Sequence, residues 1–145
     1  MKRIAKRYPD VQVLSQPDGV GLLTALVYLL TLEDKARFKK SRSVGAFIGL
    51  RPKKDQSGDA EKQLRITKAG DPFLRRLLVT SANFILGPFG AESDLRTWGL
   101  GLSKRGGKNA KKRAKVAVAR KLAVLMHRLW VTGEVYEPTG YRRAA

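Results

Sequence analysis

Ser57 stands next to Gly58 in the stretch RPKKDQSGDAEKQ, Arg51 to Gln63, where one hydroxyl meets both cations and carboxylates. A serine nucleophile needs a group to take its proton and positive charge to stabilise the transition state. Lys53, Lys54 and Arg65 could supply that charge, Asp55 or Asp59 could accept the proton, and Gly58 would let a phosphate come close to the backbone. The stretch has no apolar period, and an ordinary solvated loop carries the same residue types. On residue types alone the loop reading is the stronger one, and a reacting serine stays open beside it.

Three other groups of residues could hold a polyanion. The turn Gly19-Val20-Gly21 joins two apolar segments; in a helix-hairpin-helix, such glycines let backbone N–H groups reach a phosphate at the start of the following helix. A glycine turn needing positive φ between core helices would look the same. Arg65, Lys68, Arg75 and Arg76 flank the opening of a helix expected from Pro72, where an anion would meet guanidinium groups and backbone donors together. On spacing alone, ordinary surface charge is slightly the stronger reading of these four. From Ser103 to Lys121 there are nine lysines and arginines and no acid. On a helix, Lys108, Lys111, Lys112 and Lys115 would form a ridge able to follow a phosphate backbone. A merely soluble face would mix both signs of charge.

The whole chain is basic: 145 residues carry 30 Lys and Arg against 12 Asp and Glu, a formal charge of +18. Such an excess points to nucleic acid as the partner and, without a base-reading pattern, to sequence-independent contacts. No cysteine is present and His127 is the one histidine, which removes disulfide frameworks, thiolate metal sites and histidine metal centres. The acids are scattered, so no metal site is expected within the chain. The longest apolar run, Gly21 to Leu32, is too short to span a bilayer, and the N-terminus lacks the pattern of a secretory signal. The expectation is a cytoplasmic protein without membrane contact.

The elements that must position these groups read as helices. Leu22 to Leu32 is apolar nearly all round, which predicts a buried helix. Ser41 or Ser43 would cap a short helix carrying Val44, Phe47 and Ile48. Asp71-Pro72 opens a helix with Leu74, Leu77, Leu78, Ser81 and Ile85 on one face, and a shorter helix is expected over Ala91 to Leu102. Ala114, Val118, Leu122, Leu125 and Leu129 give the last helix a regular apolar stripe, with Gly133 its stop. The tryptophans and most Phe and Tyr residues fall within helical patterns, where core packing outranks base stacking. The fold class is mainly α: a compact helical domain with a helix-hairpin-helix-like element and a small irregular or β-hairpin insertion near 51–67.

Taken in order, DGVGLLTAL, RFKKSRSVGAFIGLRPKKDQSG, LRITKAGDPFLRRLL and the ending GGKNAKKRAKVAVARKLAVLMHRLWVTGEVYEP resemble the C-terminal domain of DEDD-type insertion-sequence transposases, also called bridge recombinases. The resemblance runs from about Val11 to Pro138. It implies that the serine of the SG step, here Ser57, is a nucleophile that links covalently to DNA. It implies a structured guide RNA that supplies sequence choice, a homo-oligomer in the complete enzyme, and a RuvC-like domain whose four acids hold Mg²⁺. That domain is not in this sequence and would have to act in cis or in trans, so this chain is expected to be inactive alone. The implied division is a connecting-helix tail over 1–10, the transposase C-terminal domain over 11–138 and a flexible tail over 139–145. Two rival readings remain: a helix-hairpin-helix DNA or RNA binder without chemistry, and an oligomerising subunit using the last helix's stripe as its interface.

Overall fold

A computed structural model describes residues 2–52 and 66–140. Its described residues form seven α-helices and one 3-10 turn, with no sheet. The helices are α1 (Lys2–Arg7), α2 (Asp10–Leu14), α3 (Leu22–Leu32), α4 (Arg42–Ile48), α5 (Pro72–Leu86), α6 (Asp94–Ser103) and α7 (Ala110–Thr132). The mainly helical expectation holds. No helix among the described residues is long and apolar enough to cross a membrane.

Helix α7 is the axis on which the other elements pack: α2, α4, α5 and α6 all touch it. Its alanines explain why. Ala114, Ala119 and Ala123 are fully buried and keep the helix thin enough for neighbours to approach from several sides. Gly99 of α6 and Gly45 of α4 do the same from the facing helices. A Cβ on Gly99 would press on Val118 and Leu86, and one on Gly45 would meet the Arg120 stem.

The apolar stripe of α7 is therefore consumed inside the molecule, with Val118, Leu122, Met126 and Leu129 fully buried. An oligomerising subunit built on that stripe is excluded. Leu125 departs from the expected face: it is half-buried and lines a small cavity with Leu95, Val124, Tyr136 and Pro138, while Met126 takes the core position.

Tyr28 fixes α3 to α7, its hydroxyl donating to the Ala123 carbonyl at 2.7 Å. Burial holds the Tyr28 phenol well above its usual range, because the phenolate would lose its hydration; a hydrogen bond from the His127 backbone offsets only part of this. His127 is a second tie. Its Nε2 donates to the Lys35 carbonyl at 2.9 Å and its Nδ1 faces Ser41 Oγ at 2.8 Å. Both nitrogens are thus engaged in a buried structural role. Ser41 stands at the head of α4 but makes no cap bond to it, its hydroxyl being spent on His127.

Two boundaries and one burial pattern differ from expectation. Helix α6 starts at Asp94 rather than Ala91, because the Ser93 hydroxyl accepts the Arg96 amide at 3.1 Å and sets the first turn there. Lys108 precedes α7 instead of riding on it, since Gly106 and Gly107, at φ 83° and 98°, hold a turn that ends only at Ala110. Helix α3 buries Ala25, Tyr28, Leu29 and Leu32, yet Leu23 and Leu30 face outward. It lies on the surface of the bundle, so one side of its all-round apolar sequence is left uncovered.

Candidate functional site

The loop that carries Ser57 is mounted on a backbone clamp. Helix α4 stops at Gly49, which adopts the left-handed conformation at φ 83°. Leu50 then drops into the core, and Pro52 pairs with Ile66 in an antiparallel bridge. The Thr67 amide donates to the Arg51 carbonyl at 3.0 Å and the Lys68 amide to the Gly49 carbonyl at 3.1 Å. The two ends of the loop are therefore side by side at its base. Ser57 itself, with Lys53, Lys54, Gly58 and Arg65, lies outside the described residues.

Two glycines make this clamp possible. A Cβ on Gly49 would collide with the backbone of Lys68 and Ala69, and one on Gly70 with the backbone of Phe47 and Ile48. The chain entering the loop and the chain leaving it thus touch main chain to main chain. Lys68 completes the return at φ 54°, a left-handed conformation that costs a non-glycine residue about 1–2 kcal/mol.

From the clamp the chain runs directly into α5. Asp71 caps that helix, its carboxylate accepting the Leu74 amide at 2.9 Å, and Pro72 occupies the first turn, both as expected. Arg75, expected to face a reacting strand, is used internally instead. Its Nη1 donates to the Gly70 carbonyl at 3.0 Å and to the Ile48 carbonyl at 3.3 Å, stapling the end of α4 to the start of α5. Carbonyls at a helix C-terminus lack intrahelical partners, and the guanidinium satisfies that of Ile48 together with the turn carbonyl of Gly70. Arg76 and Lys68 remain exposed at the clamp, Arg76 lying 6.0 Å from the centre of the Phe73 ring.

The glycine turn sits at the other end of α5. Gly19 has φ 84°, and a Cβ there would press on the Ser81 carbonyl, Phe84 and Ile85. Gly19 is therefore a close-packing glycine. Gly21 is different: extended, open on its side-chain face, and placed ahead of α3 without any side-chain cap. From Pro72 to Phe84 is twelve residue steps along α5, about 18 Å of helix, so turn and clamp do not form one cluster.

The lysine ridge and the clamp face the same end of the molecule. Ser41 adjoins His127 and Gly45 adjoins Arg120, so α4 runs antiparallel to α7 and its C-terminus heads toward the lysine-bearing half. Lys108, Lys111 and Lys112 are exposed there and Lys115 is half-buried; none of the four has a carboxylate partner among the described residues. Lys121, at the far end of the basic stretch, is used internally, its Nζ lying 3.9 Å over the Trp98 ring. No group of three His, Asp or Glu side chains able to hold a metal occurs among the described residues.

Residue spacing did not reveal Gly49 and Gly70 as the clamp. The available signal was two glycines bracketing a polar loop, each next to a helix boundary. Nor did it reveal the phenylalanines: Phe47, Phe73, Phe84 and Phe89 are exposed, contrary to the expected core packing.

Comparison with known proteins follows the same segments. The family description "Transposase IS116/IS110/IS902 family" matches residues 11–89, which covers the glycine turn, α4, the clamp and α5. The transposase for insertion sequence element IS1111A of Coxiella burnetii is 37% identical over 137 residues, 94% of this chain and 37% of that protein. A Sinorhizobium fredii protein described as a transposase is 34% identical over 125 residues, 85% of this chain and 32% of its own length. A family 20 transposase of Pseudomonas aeruginosa is 29% identical over 129 residues, covering 88% and 37% respectively. The chain thus spans about a third of the length of these relatives.

Proposed function

The chain belongs to the IS116/IS110/IS902 transposase family, and from that premise we propose that it is the strand-breaking domain of an insertion-sequence transposase with Ser57 as nucleophile. The observation that carries the reading is the clamp at Gly49 and Gly70, which brings both ends of the Ser57 loop to one point beside the start of α5. A glycine-locked base of this kind fixes where the loop leaves and rejoins the bundle, a starting condition for catalysis by positioning.

In the proposed step, Ser57 Oγ attacks the phosphorus of a DNA phosphodiester. A bond from Oγ to phosphorus forms as the bond from phosphorus to one deoxyribose oxygen breaks. The serine proton passes to an acceptor, for which Asp55 or Asp59 is the chain's own candidate, and the released oxygen takes up a proton. One phosphodiester is exchanged for another, so the reverse attack by a different strand end rejoins DNA without outside energy. Lys53, Lys54, Gly58, Arg65, Lys68 and Arg76 are assigned to the phosphate at this point, and Gly21 with Lys108, Lys111, Lys112 and Lys115 to the flanking backbone.

The described carboxylates do not form a metal donor set. Mg²⁺ is assigned, as the family resemblance implies, to a RuvC-like domain, in cis or in trans, which would supply charge stabilisation at the attacked phosphate. A structured guide RNA is the proposed source of sequence choice, and the complete enzyme is proposed to be a cytoplasmic homo-oligomer.

The alternative is a helix-hairpin-helix DNA or RNA binder without chemistry, and the open Gly21 ahead of α3 favours it. The two readings separate in one experiment. Labelled DNA, guide RNA, Mg²⁺ and the RuvC-like domain are mixed with the chain or with S57A. A denaturant-resistant adduct that depends on Ser57 supports the transposase reading; binding unchanged by S57A, with no adduct from either protein, supports the binder.

A further inference from the structure

We propose that the outward face of α5 is a stacking track for an unpaired DNA strand, running from the clamp toward the glycine turn. This rests on the DNA-breaking reading above and extends it along α5 by a surface that meets the clamp at Arg76.

Phe73, Arg76, Thr80 and Phe84 follow i, i+3, i+7 and i+11, which sets them in one stripe along the helix. All four are exposed, Phe73 at 45% and Phe84 at 43%. The turn that ends α5 adds Phe89, exposed at 85%, held at its apex by the Gly90 amide bonding to the Gly87 carbonyl at 3.2 Å. Single exposed apolar residues are ordinary, but three of the chain's five phenylalanines project from one helix and its closing turn. Aliphatic side chains meanwhile fill most of the core.

Charge selects the occupant. No acidic residue occurs between Pro72 and Ala91, while Arg75 and Arg76 do. Arg75 is committed to carbonyls, so Arg76 is the cation available on the stripe, and it already lies beside the Phe73 ring. The nearby carboxylates of Asp71 and Asp18 are tied to backbone amides at the two ends of the helix. Aromatic rings interleaved with a guanidinium on such a helix fit a strand that offers base faces and phosphates together. A duplex offers phosphates but hides its base faces in the stack. From Phe73 to Phe84 the stripe is about 16 Å long, or roughly five base steps at B-form rise.

The ends of the stripe give it a use. It begins two residues beyond Asp71 at the clamp, and Phe84 ends it against Gly19. A strand end released near the clamp would have rings to stack on, which would keep it from diffusing away before it is rejoined.

The test titrates the full chain with three labelled probes: a single-stranded DNA of about 12 nucleotides, the matching duplex, and a single strand of equal length whose central bases are removed. The variants are F73A, F84A, F89A, the ring-retaining F84Y, and K112E as a charge control. The expected result is a loss of about 5- to 100-fold in single-strand affinity for each Phe→Ala variant, with F84Y near wild type. Duplex binding should change less than about twofold, and the base-free strand should bind wild type and F73A alike. Because F84Y keeps the contact over Gly19, a loss in F84A that F84Y restores assigns the effect to the ring. Phe variants that bind the single strand like wild type, while K112E weakens duplex binding, would overturn the track and leave the DNA reading intact. Wild-type protein that binds none of the three probes would overturn both. Phe-dependent binding that a single-stranded RNA of the same length outcompetes would overturn DNA as the occupant.

Discussion

The Gly49 carbonyl accepts the Lys68 amide at 3.1 Å, across a loop whose intervening residues include Ser57. Close contact of these two main chains leaves no room for a side chain at position 49, and the same is true of Gly70 against Phe47 and Ile48. G49A combines a collision with a left-handed φ of 83°, and G70A brings a collision alone. Each should cost about 2 kcal/mol or more, lowering Tm by about 5 °C or more, and each should abolish adduct formation more completely than it weakens DNA binding. Thermal melts and adduct assays on the two variants check this.

Arg75 and Arg76 are adjacent in sequence and opposite in role. R75A removes the donor to two backbone carbonyls and should destabilise the fold by about 1–3 kcal/mol. R76A removes an exposed cation and should leave Tm within about 1 °C while weakening DNA binding. Melting curves and binding isotherms of the pair separate the roles. Equal effects on stability would contradict them.

Charge reversal at Lys108, Lys112 and Lys115 should weaken binding uniformly across DNA sequences. The slope of log affinity against log salt should fall by about 0.9 for each duplex phosphate that the variant no longer neutralises. Isotherms at several salt concentrations measure it. An unchanged slope would remove the ridge from the interface.

Tyr28 gives a pH limb of known sign. Its phenol ionises near 10 in the unfolded chain but well above that value when folded, because burial disfavours the phenolate. Above pH about 10 the unfolded state therefore holds fewer protons, and stability falls as pH rises, by about 1.4 kcal/mol per unit at most. Below pH 10 this contribution is fully present. Denaturant melts between about pH 8 and 11 should show the decline, and Y28F should flatten it at the cost of the bond to Ala123.

Much of this architecture could be read from the sequence, because the strong signals were local. Asp71-Pro72 capped α5 and Gly133 ended α7 as their chemistry dictates, and the period of α7 gave most of its buried face. The misread features depended on partners distant in sequence. Arg75 resembled a phosphate ligand until the carbonyls of Ile48 and Gly70 came within reach of it. Leu125 fitted an i, i+3 pattern, but its side of α7 faces the Pro138 segment and a cavity rather than the core. The apolar surface of α3 gave no hint that Leu23 and Leu30 would stay uncovered, since that depends on where α3 sits in the bundle. Phe73 and Phe84 carried the same ambiguity: helical periodicity places them on a face of α5 without saying whether that face is inward.

The central claim is the role of Ser57, and the most direct measurement is a denaturing gel with mass analysis. The reaction contains end-labelled DNA, guide RNA, Mg²⁺, the RuvC-like domain and either wild-type chain or S57A. The account predicts a protein–DNA adduct with wild type, mapped by peptide mass to a phosphoserine at position 57, and none with S57A although DNA binding persists. An adduct that forms equally with S57A, or strand cleavage without any covalent intermediate, would contradict it.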